Sequence, residues 1–536
     1  MGKQEGGLWD EYCSFFEKDF EEQLEYNRKR KEEFFEKWRK TKTADHLLPE
    51  GPKRFEDIPV TTYEDYPALQ KFGRKMEKKV DNNPKPGGMS WKTYYEKMEK
   101  GLKDWIEDWI PGEYGICAKT TGSTGRPKWF AMGKEFMREF REEAILPGIF
   151  SGSEERGRTN LQSGDVLLNL GVPVPYIAGY TILACKQEFT PFPSIKYTDN
   201  ELNMKRKLNY ILKKIKQGQE IHFGGGSAST FQLFVQAVIS PEKTLKNFLD
   251  TLDFGGKKMI VYLMYLKEKL KSSDIEKAKE VLPLKGYVVS GLDVMLYKDF
   301  LTYHFDSPPF NLYASTEMGC IMMGRPNRNL DLLPILKSKF LEFIDSNGEV
   351  HDIDDLKKGE TYQLIGTPFG TPLVRYNQKD LLRVKEFRDD GMPIFKFEGR
   401  KESWLGIRGY FRLSERMAFK VMKKAGFKNT EAWAVTKKID PNEHLCFLME
   451  EKEKKSNIIK RLYRAMYEIS EGFRKYVSDF DIEKPSEVID VEILSRGTFR
   501  RYSLKQMEKD VPIGQYKSPK IISPQNQEII DSLRRA

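Results

Sequence analysis

Between residues 9 and 38, Trp9, Tyr12, Phe16, Phe20 and Leu24 recur at helical spacing among Glu, Lys and Arg, which predicts amphipathic helix packed on the main body. Its polar face mixes both signs of charge, whereas a helix lying on a membrane surface carries a basic one. A loop at Pro49, Gly51 and Pro52 follows, then an extended segment over 58–63 that leads into another helix, then a Pro/Gly turn region over 82–88. Residues 91–109 read as one helix and 114–118 as a strand. Beyond them, helical stretches alternate with short apolar runs. Residues 165–170 predict a buried strand and 177–184 a helix. Residues 221–223 run into Gly224-Gly225-Gly226-Ser227, with a helix opening near Thr230, and 287–291 and 310–313 predict further strands. Apolar strands that end in Gly/Ser loops and feed helices predict a parallel α/β sheet with ligand groups at the strand C-termini. Residues 335–384 alternate as strands, with a hairpin signal at Asn347-Gly348, and the chain after Gly409 has its own helix–strand–helix pattern, suited to a small α+β domain.

At 536 residues the chain is too long for one core, which implies a large domain with a smaller companion. The net charge of +10 comes from 90 basic and 80 acidic residues that are intermixed, a solvated surface rather than a nucleic-acid stripe. The five cysteines are scattered with no CxxC pair, which suits a reducing cytoplasm and supplies neither a disulfide framework nor a zinc site. The acidic, aromatic N-terminus is unlike a signal peptide. The most apolar run, 166–185, is interrupted by Asn169, Gly171, Pro173, Pro175 and Gly179, so no membrane helix is expected there.

The candidate chemistry centres on Thr120-Thr121-Gly122-Ser123-Thr124-Gly125-Arg126-Pro127-Lys128. Its two glycines let the backbone present N–H groups to an anion, four hydroxyls add donors, and the cations add charge. This is a phosphate cradle without the Walker spacing, and taken alone it is matched by a plain polar turn. Three polar clusters follow downstream: Tyr313-Ala314-Ser315-Thr316-Glu317, then Val374-Arg375-Tyr376-Asn377-Gln378-Lys379-Asp380, then Gly399-Arg400-Lys401-Glu402-Ser403 running on to Gly409–Glu415.

In this order, from about Tyr114 to the end, they resemble the adenylate-forming superfamily of acyl-CoA ligases, adenylation domains and luciferases. The C-terminus narrows the resemblance. Gly497-Thr498-Phe499, with no lysine after the glycine, and Gln515-Tyr516-Lys517-Ser518-Pro519-Lys520 are similar to the auxin-responsive acyl acid-amido synthetase family. Residues 58–63 look like that family's N-terminal region, while Asn377–Asp380 lacks the usual glycine before the aspartate.

The resemblance implies an α/β fold with a large multi-layer N-terminal domain (1–400) carrying ATP and acyl sites. A small, mobile α+β C-terminal lid domain (401–536) would follow, with a hinge near 399–402. It implies an ATP-dependent ligase that activates a carboxylic acid as acyl-AMP and passes the acyl group to an amino acid, or alternatively to CoA. A catalytically silent nucleotide-binding protein is the reading from a different class. Thr120, Thr121, Ser123, Thr124 and Lys128, with Gly122 and Gly125, would hold the β- and γ-phosphates. Glu317 would hold Mg²⁺, Thr316 would reach the α-phosphate, and Tyr313, beside Ala314 and Ser315, would stack on adenine. Asp380, with Arg400 nearby, would take the ribose. Ser290 and Gly291 join the nucleotide set and, with Leu292, residues 172–176 and 222–227, line the acyl pocket. Lys517 would bridge the attacking carboxylate and the α-phosphate, with Arg500 as the reserve cation. His222 is either a base for the amine or a structural histidine. No nucleic-acid or membrane partner is implied.

Overall fold

The computed structural model describes residues 7–120, 127–201, 204–239, 275–291, 294–326, 330–401, 404–407, 411–427, 432–438, 443–480, 482–507, 519–524 and 526–536. It is a mixed α/β fold with several sheets. The described residues up to Ile239 and from Ile275 to Phe397 form one unit, and those from Glu398 onward a second. No helix among the described residues is long and apolar enough to cross a membrane.

In the first unit the N-terminal amphipathic pattern forms two helices, Leu8–Glu17 and Phe20–Trp38. Asp19 starts the second with a capping box, its side chain accepting from Glu22 N (2.9 Å) while Glu22 Oε2 accepts from Asp19 N (3.4 Å). Residues 91–109 are not one helix. The chain turns at Gly101, whose φ of +78° is the left-handed conformation that ends helices, and leaves Trp91–Glu99 and Lys103–Glu107.

Strands β1 (Tyr114–Lys119) and β2 (Trp129–Gly133) form an antiparallel hairpin. A seven-stranded sheet follows, built from β3 (Val166–Leu168), β4 (Thr190–Phe192), β5 (Phe223–Ser227), β6 (Gly286–Ser290), β7 (Phe310–Ser315), β8 (Gly319–Met323) and β9 (Leu333–Pro334). Its order is β4-β3-β5-β6-β7-β8-β9, parallel up to β7 and antiparallel after it. Parallel neighbours need crossovers, here supplied by helices such as Ile177–Cys185, Met204–Ile215 and Val294–Phe305. The glycines of β5 answer to crowding, since a Cβ on Gly225 would stand 2.0 Å from Val288 O and one on Gly224 2.8 Å from Leu168 Cβ.

The five-stranded sheet comprises β10 (Lys339–Ile344), β11 (Val350–Asp352), β12 (Thr361–Pro368), β13 (Tyr376–Phe387) and β14 (Pro393–Arg400), in the order β11-β10-β12-β13-β14. Asn347 and Gly348 turn the β10–β11 hairpin as their sequence predicts. The second unit holds a hairpin of β15 (Trp404–Ile407) and β16 (Phe411–Ser414). Beside it is a four-stranded sheet, β19-β18-β17-β20, made of β17 (Trp433–Lys438), β18 (His444–Met449), β19 (Ile489–Ile493) and β20 (Ile521–Ile522).

Candidate active site

The neck of the Gly/Ser/Thr loop is closed by its own ends. Thr120 N donates to Lys128 O (2.9 Å), and Lys128 N donates to Thr120 Oγ1 (2.8 Å). Thr121, Gly122, Ser123, Thr124 and Gly125 lie outside the described residues. The Lys128 ammonium sits 4.9 Å from the ring centroid of Tyr63, a cation–π contact that parks the charge at the loop's edge. The Tyr63 phenol donates to Trp129 O (3.2 Å), and burial pushes it up to about 12. The extended segment just before Tyr63, which itself opens a 3-10 turn, also pairs with the start of β13. Thr61 N donates to Arg375 O (3.0 Å), and Asn377 N donates to Thr61 O (2.8 Å). Residues 58–63 therefore join the loop's neck to the start of β13, a connection with no signal in the local sequence.

Two of the predicted clusters, far apart in the chain, meet here. The Tyr313 phenol, at the end of β7, donates to Asp380 Oδ2 (2.5 Å) and lies 3.3 Å from Gln378 Oε1. Gln378 Nε2 donates to Ser315 Oγ (2.5 Å), which also accepts from Met318 N (3.1 Å). The Tyr313 ring packs on Phe397 at 5.3 Å. Asp380 is only 2% exposed, and this buried carboxylate fixes the Tyr313 ring that the fold brings to it. The β7–β8 turn carries Thr316 and Glu317, both half-buried, while Met318 is buried against Gly366, where a Cβ would stand 2.3 Å from its sulfur. Burial first, and then the nearby Glu317 carboxylate, push the Tyr376 phenol up, and the same carboxylate acts on Tyr63.

The strand leading to Asp380 departs from regular geometry. Arg375 and Lys379 have φ of +44° and +63°, left-handed values that are rare for residues with a Cβ. Asn377 Oδ1 accepts from Lys379 N (2.7 Å), an Asx-type turn that supports the conformation a glycine would adopt freely at this position.

On the neighbouring edge the strand ends line up. Ser227 of β5 is in register with Ser290 of β6, and Ser290 with Leu312 of β7. Gly291 follows with φ of +121°, and Leu292 lies outside the described residues. Residues 172–176 are held to β1, since Lys119 N donates to Pro175 O (3.0 Å) and the Tyr180 phenol donates to Cys117 O (3.0 Å). Helix Ile177–Cys185 presses on this loop at Gly179, where a Cβ would stand 2.3 Å from Val174 N and 2.4 Å from Pro173 C. Gly179→Ala is expected to cost about 2 kcal/mol through overpacking against backbone, read as a fall in the urea midpoint. An unchanged midpoint would mean that the loop retreats at no cost.

His222 falls at the opposite edge. It precedes β5, and its Nδ1 accepts from Val166 N (2.8 Å), beside Asp165 and Lys285. Placing it with 223–227 in one pocket was an error of direction, because a strand's two ends open on opposite edges of a parallel sheet. The structural alternative for this histidine holds.

In the second unit the Gly-Thr-Phe motif starts helix Thr498–Met507. Glu450 accepts from Gly497 N (2.7 Å) and Phe499 N (2.8 Å), and Thr498 is 2% exposed. Lys520 donates to Trp433 O (3.1 Å) and lies over the rings of Trp433 and Phe499. Arg400 is the exposed last residue of β14, and Arg500 is half-buried. Lys517 lies outside the described residues.

Residues 332–400 match the profile of the GH3 family central domain. A search of the curated proteins found no match. Among solved structures, the chain is similar to AtGH3.15 acyl acid amido synthetase in complex with 2,4-DB, with a TM-score of 0.66 and 16% identity over 96% of this chain and 93% of that one. A second structure, of GH3.15 acyl acid amido synthetase, gives a TM-score of 0.66 and 15% identity over 100% of this chain and 97% of that one. The matched segment contains β10–β14 with Arg375 and Asp380, the part of the site where Tyr313 and residues 58–63 converge. Residues 332–400 thus carry the GH3 central-domain pattern, and the chain as a whole shares the fold of the GH3 acyl acid amido synthetases.

Proposed function

We propose that this protein activates a carboxylic acid with ATP, forming acyl-AMP and pyrophosphate, and then passes the acyl group to the amine of an amino acid. The observation that carries the reading is the meeting of Tyr313 with Asp380 on β13, the strand whose start is joined through residues 61–63 to the Thr120–Lys128 neck. A carboxylate is a poor acyl donor because its leaving oxide is too basic. Attack of one of its oxygens on the α-phosphorus of ATP expels pyrophosphate and leaves a mixed anhydride, from which AMP departs when the amine attacks the acyl carbon. The protein's part is positioning and neutralising phosphate charge. Thr120 and Lys128, with the loop between them, hold the β- and γ-phosphates, and Thr316 reaches the α-phosphate. Tyr313 stacks on adenine in the orientation Asp380 gives it, and Asp380 and Arg400 address the ribose. Ser290 and Gly291 sit where nucleotide and acid meet.

Glu317 fits Mg²⁺, since it is a hard, half-buried carboxylate in the turn after β7 whose charge is felt by the Tyr63 and Tyr376 phenols. When bound there, the ion supplies positive charge to the phosphate oxygens. Lys517 is the cation for the attacking carboxylate, with Arg500 in reserve; Lys520, the other lysine of its stretch, is engaged with Trp433 and Phe499. The C-terminal region from about residue 401 serves as the small mobile lid that carries Lys517. The five free cysteines, all buried, suit a reducing cytoplasm.

The test is acid-dependent ATP–pyrophosphate exchange over aryl, indole, fatty and amino acids, with 2,4-DB, the compound in the AtGH3.15 complex, in the panel. Exchange with one acid class, followed by amide formation with an amino acid and none with CoA, is the expected result. Thioester formation would replace the amide reading, and ATP binding without exchange on any acid would replace both.

A further inference from the structure

Lys207 has no part in the machinery above, yet it is 2% exposed. It lies on helix Met204–Ile215, between β4 and β5, and its Nζ donates to Gly171 O at 2.9 Å. Burying an ammonium is costly unless it is paired or hydrogen-bonded. Burial holds this ammonium down to about 8, opposed by Glu201 and Asp199 at the end of helix Ile195–Asn200.

The carbonyl it holds opens the loop after β3. That loop contains Pro173 and Pro175, which have no N–H, and residues 169–173 have no regular secondary structure. Its peptide groups are therefore satisfied by side chains and by a neighbouring strand. Gly171 N donates to Asn169 Oδ1 (3.2 Å), and Asn169, itself 2% exposed, donates to Pro193 O (3.1 Å). Pro175 O is held by Lys119 N at the far end. Lys207 is the charged anchor of the near end.

We propose that Lys207 is a positioning residue for the carboxylic acid: by holding the Gly171 carbonyl it sets residues 171–176 against the strand ends where the acid lies. This rests on the proposed acid activation and on that loop lining the acid's pocket. Lys207 does not touch the acid. Its loss acts on acid binding rather than on ATP, because Tyr313, Asp380, Thr120 and Lys128 have their own supports.

The test compares Lys207→Met, which keeps length and removes the donor, with Lys207→Gln, which keeps a neutral N–H donor. Both are measured in the exchange assay with the wild type's best acid. Lys207→Met is expected to raise the acid KM about tenfold, the effect of one lost hydrogen bond to a charged group. The ATP KM stays within about twofold, and Lys207→Gln recovers part of the acid KM. An unchanged acid KM in the Met variant, or acid and ATP KM rising together, overturns the proposal. If Lys207→Met is recovered only as aggregate, Lys207→Gln decides by the same two constants: a raised acid KM alone supports the role, and wild-type constants refute it. A wild type with no exchange on any acid defeats the functional reading and this role with it, whereas an active wild type with unaltered variants defeats the role alone.

Discussion

Glu317→Ala is expected to lower acid-dependent ATP–pyrophosphate exchange by about a thousandfold, at the upper end of what removing one preorganised electrostatic group does. The thermal midpoint should move by no more than about 2 °C, because the carboxylate is half-buried at a turn tip and packing in that turn is carried by the neighbouring Met318, which is fully buried. Activity is thereby separated from folding. Added Mg²⁺ should restore little, since the variant lacks the ligand rather than the ion. A variant that exchanges at the wild-type rate would remove Glu317 from the site, and a melting transition that falls with the activity would make the turn structural.

Arg375→Met is expected to cost about 3–5 kcal/mol of stability. The guanidinium is 8% exposed and holds Glu342, itself 4% exposed, through Nε (3.1 Å) and a second guanidinium nitrogen (3.0 Å). Its remaining donors reach Ile58 O (2.6 Å) and Glu56 O (3.1 Å). Removing it strands a buried carboxylate and frees residues 56–58 from β13 in one step. Burial already holds the Glu342 carboxyl above its ordinary value, with Arg375 opposing, and without the arginine it rises further. A carboxyl raised in the folded state binds protons that the unfolded chain releases, so stability falls as pH rises above the unfolded value. The deficit of the variant should therefore be largest near neutrality and shrink as pH falls toward the ordinary carboxylate range. Urea unfolding across that window measures it. Arg375→Met/Glu342→Leu should recover most of the loss, and a flat pH profile with no recovery would mean that the contacts to 56–58, not the ion pair, hold the fold.

The sequence by itself determined what is local. A Gly/hydroxyl loop closed by a lysine, strands that end in Gly/Ser, a hairpin at Asn347-Gly348 and helices at 177–184 and near 230 all follow from backbone freedom and from the spacing of apolar positions, which neighbours along the chain decide. The order of the motifs was enough to imply a resemblance to the acyl acid-amido synthetases, whose fold the chain shares. It misjudged 91–109 because periodicity continues across Gly101, whose left-handed φ breaks the helix without changing the apolar pattern. It also misplaced His222, because periodicity marks a strand without saying which end opens on the site.

Only the tertiary structure decided which distant side chains share an environment. Tyr63 reaches Trp129 across 66 residues, Tyr313 reaches Asp380 across 67, and Arg375 reaches Ile58 across 317. Lys207 is one of many lysines in the sequence and becomes distinct only when the fold buries it with its ammonium on Gly171 O. The physical reason is that a polar side chain's role is set by what remains to satisfy it after burial. Sheet order and register decide that, and a one-dimensional pattern fixes neither.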